Sequence, residues 1–429
     1  MDNRTIDTAA ELAVASPQQI EAEALVRELW PHPLITDARR RSKNLMLGAY
    51  GIDVPAEAMR RFDAVLDEYA VSYLVRTISR DRENPRLIWN YNPPFERHGQ
   101  KVLGSRFCGD NPDSYYRFAG IHHGDTYRIR ARPAGTIGRS ISFNLMRNWG
   151  GTDIGPSIDL EGIVREPDGS FELTIDSSPA AGRRNHLQTD PTVCILIVRE
   201  CLNDWATEMP MQMTIERDGA RRGTSPDLDR LAAHAARWIV QEIPLYFWMI
   251  HLFRNLEPNT VRQPMPTADY GGHGRYTVSQ GFCQFNDDEG VLVRWDPVDA
   301  AYSSITVNDW WFRQIDAHRL QSSLNAISAA RNADGTITAV IAAREPGITN
   351  WFETDGLHDL TITIRWQNLP ANPVREGPRI SFERVKLADL DRYLPREIAR
   401  ISPVGRAERN RARLAAFARR IGTHGIVVE

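Results

Sequence analysis

Asp168-Gly169-Ser170-Phe171 opens a stretch that closes at Arg199, and Asp334-Gly335-Thr336-Ile337 opens one that closes at Arg365. Inside the first lies Asn185-His186-Leu187-Gln188-Thr189-Asp190; inside the second lies Asn350-Trp351-Phe352-Glu353-Thr354-Asp355. Asp and Asn are 17 and 16 residues apart in the two stretches, and Asn and Arg are 14 and 15 apart. Each stretch reads as turn, strand, long loop, strand. Two related β units follow from that shared frame, as from an internal duplication. The frame also marks the Asn-Trp loop as a place for a site.

Working outward, residues 8–75 read as helical, with Trp30-Pro31-His32-Pro33 as a breaker. From Arg86 the texture changes to short alternating segments set off by Gly, Pro, Asn and Asp. Ser225-Pro226 reads as a helix start, and Leu228, Leu231, Ala232, Ala235, Trp238 and Ile239 then share a face. Pro244 is expected to kink or end that helix. The apolar run Leu245 to Ile250 is either packed in a core or the wall of a greasy cavity. Pro258 to Gly274 reads as a linker. Strand texture resumes at Tyr276, and Asp389 to Gly422 reads as helical, with an arginine run expected to be a solvated face or a subunit contact. The expected organisation is mainly β with flanking helices: a helical region over 1–84, a first sandwich lobe over 85–222, and a connecting helix and linker over 223–275. A second lobe over 276–386 and a C-terminal helix over 387–429 complete it.

Composition places few limits on function. Hydrophobic content of 42% and charged content of 25% are ordinary for a globular chain of 429 residues. A net charge of −3 argues against a nucleic-acid partner held through phosphates. Basic residues are nearly all arginine, with lysine only at Lys43, Lys101 and Lys386. Cys108, Cys194, Cys201 and Cys283 show no metal-site spacing and read as buried thiols in a reducing compartment. No secretory leader and no membrane-length apolar run are visible, so a cytoplasmic protein without membrane insertion is expected. HExxH, Walker A and GxSxG motifs are missing, and no cofactor or metal is implied.

The second lobe resembles the bacterial DUF1214 family, a domain of unknown function often found after a DUF1254 domain. Ser323-Leu324-Asn325, Asp334-Gly335 and Pro346-Gly347-Ile348-Thr349-Asn350-Trp351-Phe352-Glu353-Thr354 carry the resemblance, extended by His358 and Arg365-Trp366. Asp110 to Tyr116, Arg199-Glu200, Asp204-Trp205 and Glu208 look like the upstream part of longer members. The resemblance covers roughly residues 85–385 and implies paired jelly-roll-like sandwiches and homo-oligomerisation. Glu353 departs from the Asp of relatives.

Three constellations offer chemistry. The loop Asn350 to His358 gathers carboxylates at Glu353 and Asp355, an imidazole at His358 and an indole at Trp351. Paired carboxylates in unlike environments split into general acid and general base, and a Trp stacks on rings; the same residues also make ordinary self-bonded turns. Asp113, Tyr115, Tyr116, His122, His123 and Asp125 form the second group, with His122 able to titrate near neutrality and a hairpin turn as the bland alternative. Asp204 and Glu208, beside Arg199-Glu200, form the third, a shared helix face or a buried ion pair.

The residues then suggest a cofactor-independent acid/base enzyme, a lyase, isomerase or hydrolase acting on a small, largely apolar hydroxylated or glycosylated molecule. Asp113 or His122 would be the base and Glu353 or Asp355 the acid, with His358 nearby. Tyr115, Tyr116, Trp248, Asn350, Trp351 and Arg365 would hold the substrate. The alternatives are a non-catalytic protein that binds a carbohydrate- or lipid-like ligand, and an assembly protein.

Overall fold

Alternation of period two builds the sheets. In the strand Ile195–Cys201, Leu196 and Val198 enter one core while Ile195 and Ile197 join a second cluster on the opposite face. A computed structural model describes residues 13–50, 54–148, 150, 153–219, 226–270, 272–369, 378–423 and 425–426, less the side chains at 50, 245–248, 253, 270 and 425–426. The chain is mostly β, with helices toward both ends.

The first lobe is a two-sheet sandwich. Its larger sheet runs Ile88–Asn90, Ser114–Gly120, Ile195–Cys201, Ser140–Met146, Ile154–Asp159, and its smaller sheet Gln212–Arg217, Tyr127–Arg132, Phe171–Asp176, His186–Gln188. The second lobe has Thr260–Val261, Tyr276–Gln284, Asp359–Gln367, Tyr302–Asn308, Ser323–Asn325 in one sheet, and Ile380–Lys386, Glu289–Trp295, Ile337–Ala342, Trp351–Glu353 in the other. Taken in chain order, the two lobes place their strands identically. Each also contains one parallel pair, Phe171–Asp176 with His186–Gln188 and Ile337–Ala342 with Trp351–Glu353. The second sheet begins at Thr260, so part of the expected linker is strand.

The repeated frame turns out to be framework. Asp168 and Asp334 each accept bonds from the backbone and hydroxyl two residues on, at 2.9 and 2.6 Å for Ser170 and 3.0 and 2.6 Å for Thr336. The glycines between them sit at φ +84° and +85°, where only glycine is unstrained. Asn185 closes its loop on Val164, at 2.8 Å through both ends of its amide. Asn350 does the same with Ala330, at 2.9 and 2.7 Å, and adds the Thr338 carbonyl at 3.0 Å. Asn350 is buried and Asn185 is not. Truncating Asn350→Ala should therefore destabilise by about 2–3 kcal/mol, and Asn185→Ala by roughly 1 or less. Urea midpoints measure both; equally small losses would show that the buried amide is not structural.

Helix α1 (Pro17–Leu29) starts at Ser16, whose hydroxyl accepts from the Gln19 amide at 3.2 Å. The Trp-Pro-His-Pro breaker separates it from α2 (Pro33–Tyr50). A short α3 (Ala56–Met59) precedes α4 (Phe62–Ser79). Phe62, Val65, Leu66 and Tyr69 of α4 share a core with Ala232, Ala235, Ile239 and Ile243 of α5 (Leu228–Arg254). Of the two outcomes expected at Pro244, a kink or an end, the end does not occur: α5 continues ten residues beyond it. Ser225, read as its start, lies outside the described residues.

The last helix, α6 (Pro403–Arg420), departs in part from a solvated arginine face: Arg411 is exposed, but four other arginines of the run reach into the chain's own lobes. Arg409 donates to the Ser328 carbonyl at 2.5 Å, Arg413 to Ser323 Oγ at 2.6 Å, and Arg419 to the Trp205 carbonyl at 3.0 Å. Arg420 is fully buried against Trp205, Phe417 and Tyr115. The helix thus bridges both lobes.

Candidate functional site

The lobes meet through the faces of their larger sheets that point away from each sandwich core. Leu196 and Val198 fill the first core, which leaves Arg199 and Cys201 outward; Ile362, Ile364 and Trp366 fill the second, which leaves Thr363, Arg365 and Gln367 outward. Polar bonds cross this junction. Ser140 and Cys201 both donate to Gln367 Oε1, at 3.0 and 3.1 Å, and the Tyr276 hydroxyl donates to Ser142 Oγ at 3.1 Å.

Between these bonds lies a cavity of about 170 Å³. Arg199 of the first lobe and Arg365 of the second, the closing residues of the repeated frame, both line it. Met249 of α5 and Phe312 add an apolar wall. Arg199 lies 5.2 Å from the Tyr116 ring centroid and 5.5 Å from that of Tyr276, within cation–π range. Its Nε is buried and has no hydrogen-bond acceptor among the described residues. Arg365 donates to Thr306 Oγ1 at 3.1 Å and to the Gly109 carbonyl, both neutral. Burial pushes the Tyr276 hydroxyl up to about 12 and the Cys201 thiol up to about 11, so both are neutral near pH 7.

The residues expected to act together are dispersed. Asp113 is buried at the same junction, its carboxylate accepting from Trp205 Nε1 at 2.7 Å, the Tyr302 hydroxyl at 2.8 Å and Asn325 Nδ2 at 3.1 Å. His122 stands half exposed in a tight turn, 3.6 Å from Asp125. Glu353 accepts from the Gln321 amide at 2.8 Å and from Asn410 at 2.9 Å, under α6. Asp355, at φ +54°, pairs with Arg61 at 2.6 Å and Arg319 at 3.3 Å. Trp351 donates its indole N–H to the Ala342 carbonyl at 2.9 Å beneath Arg406. Tyr115 packs on Trp89 in a cluster with Trp205 and Phe417, and Tyr116 packs edge-on to Tyr91. Trp248 belongs to α5, but its side chain is outside the described residues. In the third group, Glu200 is buried as the partner of Arg117. Residues 204–208 form a turn rather than a helix, and Glu208 caps it by accepting from the Asn203 amide at 2.6 Å.

His358 is the exception. It borders an open cleft of about 530 Å³ between α3 and the second lobe, with Nδ1 3.1 Å from Glu57 and Nε2 2.8 Å from Asp287. Burial alone would lower its pKa, but the bonds to Asp287 and Glu57 outweigh burial and raise it. A raised histidine contributes stability in full below the unfolded value of about 6.5 and loses it as pH rises through the folded value. The melting difference between wild type and His358→Gln should therefore be larger at pH 5.5 than at pH 8.5. A difference that grows with pH would contradict the contact.

The fold and junction define a two-lobed β-sandwich protein with a cavity between its lobes. A solved structure of an uncharacterised protein from Burkholderia cenocepacia is similar, with 24% sequence identity and a TM-score of 0.68 over 85% of this chain and 99% of that one. A protein from Vibrio parahaemolyticus matches at 12% identity and a TM-score of 0.40, over 75% of this chain and 99% of that one. No family model and no curated protein matches the chain.

Proposed function

We propose that the protein binds a small organic molecule in the cavity between its lobes. The supporting observation is the junction cavity itself: equivalent strands of both lobes turn polar side chains into it, and α5 adds an apolar wall. Meanwhile the carboxylates expected to do acid/base work are engaged with structural donors. Thermal-shift screening of single-ring compounds should find one class that raises the melting temperature of wild type but not of Met249→Trp, which fills the cavity. Equal stabilisation of both proteins would contradict the reading.

His358 favours a second reading, a cofactor-independent lyase, isomerase or hydrolase. An imidazole between two carboxylates in the larger cleft is a competent acid/base group. Activity at that cleft would vanish in His358→Gln and persist in Met249→Trp.

The proposal extends to a DUF1214-type second lobe, duplication of the lobes, homo-oligomerisation and a cytoplasmic location. The residues quoted above support the first, and the shared strand order supports the second. The family resemblance supports the third. None of the four cysteines forms a disulfide, which fits a reducing compartment. No described helix is long and apolar enough to cross a membrane.

A further inference from the structure

We infer that the ligand between the lobes is a compact organic carboxylate, about the size of benzoate, gripped by Arg199 and Arg365. This rests on the binding reading above and adds the chemical class.

Charge is the first argument. Two guanidinium groups line one cavity, and no described carboxylate forms an ion pair with either. The tyrosine and thiol beside them are neutral, so the lining carries uncompensated positive charge in a partly desolvated space. Such charge is unfavourable until an anion enters. Two other buried arginines show the contrast, Arg97 with Glu23 at 3.1 Å and Arg313 with Glu68 at 3.0 Å, while Arg420 is buried against the rings of Tyr115, Trp205 and Phe417.

Hydrogen bonding is the second. Arg199 is held between two tyrosine rings and makes no hydrogen bond to a described group, so its planar fork is oriented with its donors unused. A carboxylate accepts from such a fork through both oxygens. Arg365 donates to one hydroxyl and one carbonyl, which orient it without neutralising it.

Size and lining supply the third. A cavity of about 150 Å³ accommodates benzene, and this one measures about 170 Å³. Met249 and Phe312 offer a surface for a ring, for which an inorganic anion has no use.

Calorimetry on the full chain with benzoate, neutral benzamide and inorganic phosphate tests this. Benzoate should bind about 30-fold tighter than benzamide, and Arg199→Met or Arg365→Met should each remove a similar factor for benzoate alone. Retained benzamide binding confirms that each variant is folded, and Arg199→Lys should recover part of the loss. If benzamide matches benzoate, the carboxylate inference fails and the binding reading stands. Phosphate binding as tight as benzoate would overturn the organic body. Absence of binding by all three compounds would count against both.

Discussion

Asp113→Ala is expected to lower the unfolding free energy by about 3–5 kcal/mol. The carboxylate is 2% exposed and takes three hydrogen bonds, one from Trp205 of its own lobe and two from Tyr302 and Asn325 of the other. Truncation orphans the buried Trp205 indole N–H and removes the bonds that Tyr302 and Asn325 make to a charged acceptor, each such bond worth about 1.5–3 kcal/mol, although Tyr302 keeps Asn111 at 3.0 Å and Asn325 keeps the Asn203 carbonyl at 2.8 Å. Asp113→Asn should recover only part, because its amide nitrogen presents a donor to donors. Urea unfolding followed by tryptophan fluorescence gives the number. A loss under about 1 kcal/mol would show that Asp113 is not the tie between the lobes and would return it to the catalytic candidates.

Arg106→Met should cost a similar amount, about 3–5 kcal/mol, because it strands buried carboxylates. Arg106 is 3% exposed and reaches Asp110 at 3.2 Å, Asp316 at 3.3 Å and Glu68 of α4 at 3.8 Å, with Gln314 at 3.1 Å. One guanidinium therefore joins the N-terminal helices, the first lobe and the second. Burial already pushes the Asp110 and Glu68 carboxyls up, and Arg106 restrains both. Without it their folded-state values rise further. A carboxyl raised on folding contributes stability below its unfolded value and loses it as pH rises through the folded value. The deficit of Arg106→Met should therefore shrink between pH 7.5 and pH 5. A deficit independent of pH would mean that the loss is one of packing rather than charge.

Local chemistry made much of the fold legible. Asp-Gly turns, alternating strands and the spacing from Asn to Arg follow from short-range rules, and the two frames indeed occupy equivalent positions. Pro244 does not end α5 because the helix is held by its face against α4, and that packing outweighs a local helix breaker. Which arginines of α6 turn inward is not legible in the sequence, because composition does not show which carbonyls of distant loops stand opposite a helix.

The candidate site was half legible. Arg365 was singled out and Arg199 was seen as its counterpart, but that both face one cavity depends on how the lobes dock. Their place at the end of each frame, on the face opposite the core residues, was the available signal. The Asn350 loop attracted attention through its density of polar side chains. That density ties the loop to other segments: Asn350 to Ala330, Glu353 to Gln321, Asp355 to Arg61 and Arg319.

The most direct test is a crystal of the full chain soaked with 4-bromobenzoate, with bromine located by its anomalous signal. One site between the lobes is expected, with the carboxylate on Arg199 and Arg365 and the ring toward Met249 and Phe312. Bromine in the His358 cleft with the junction cavity empty would contradict it.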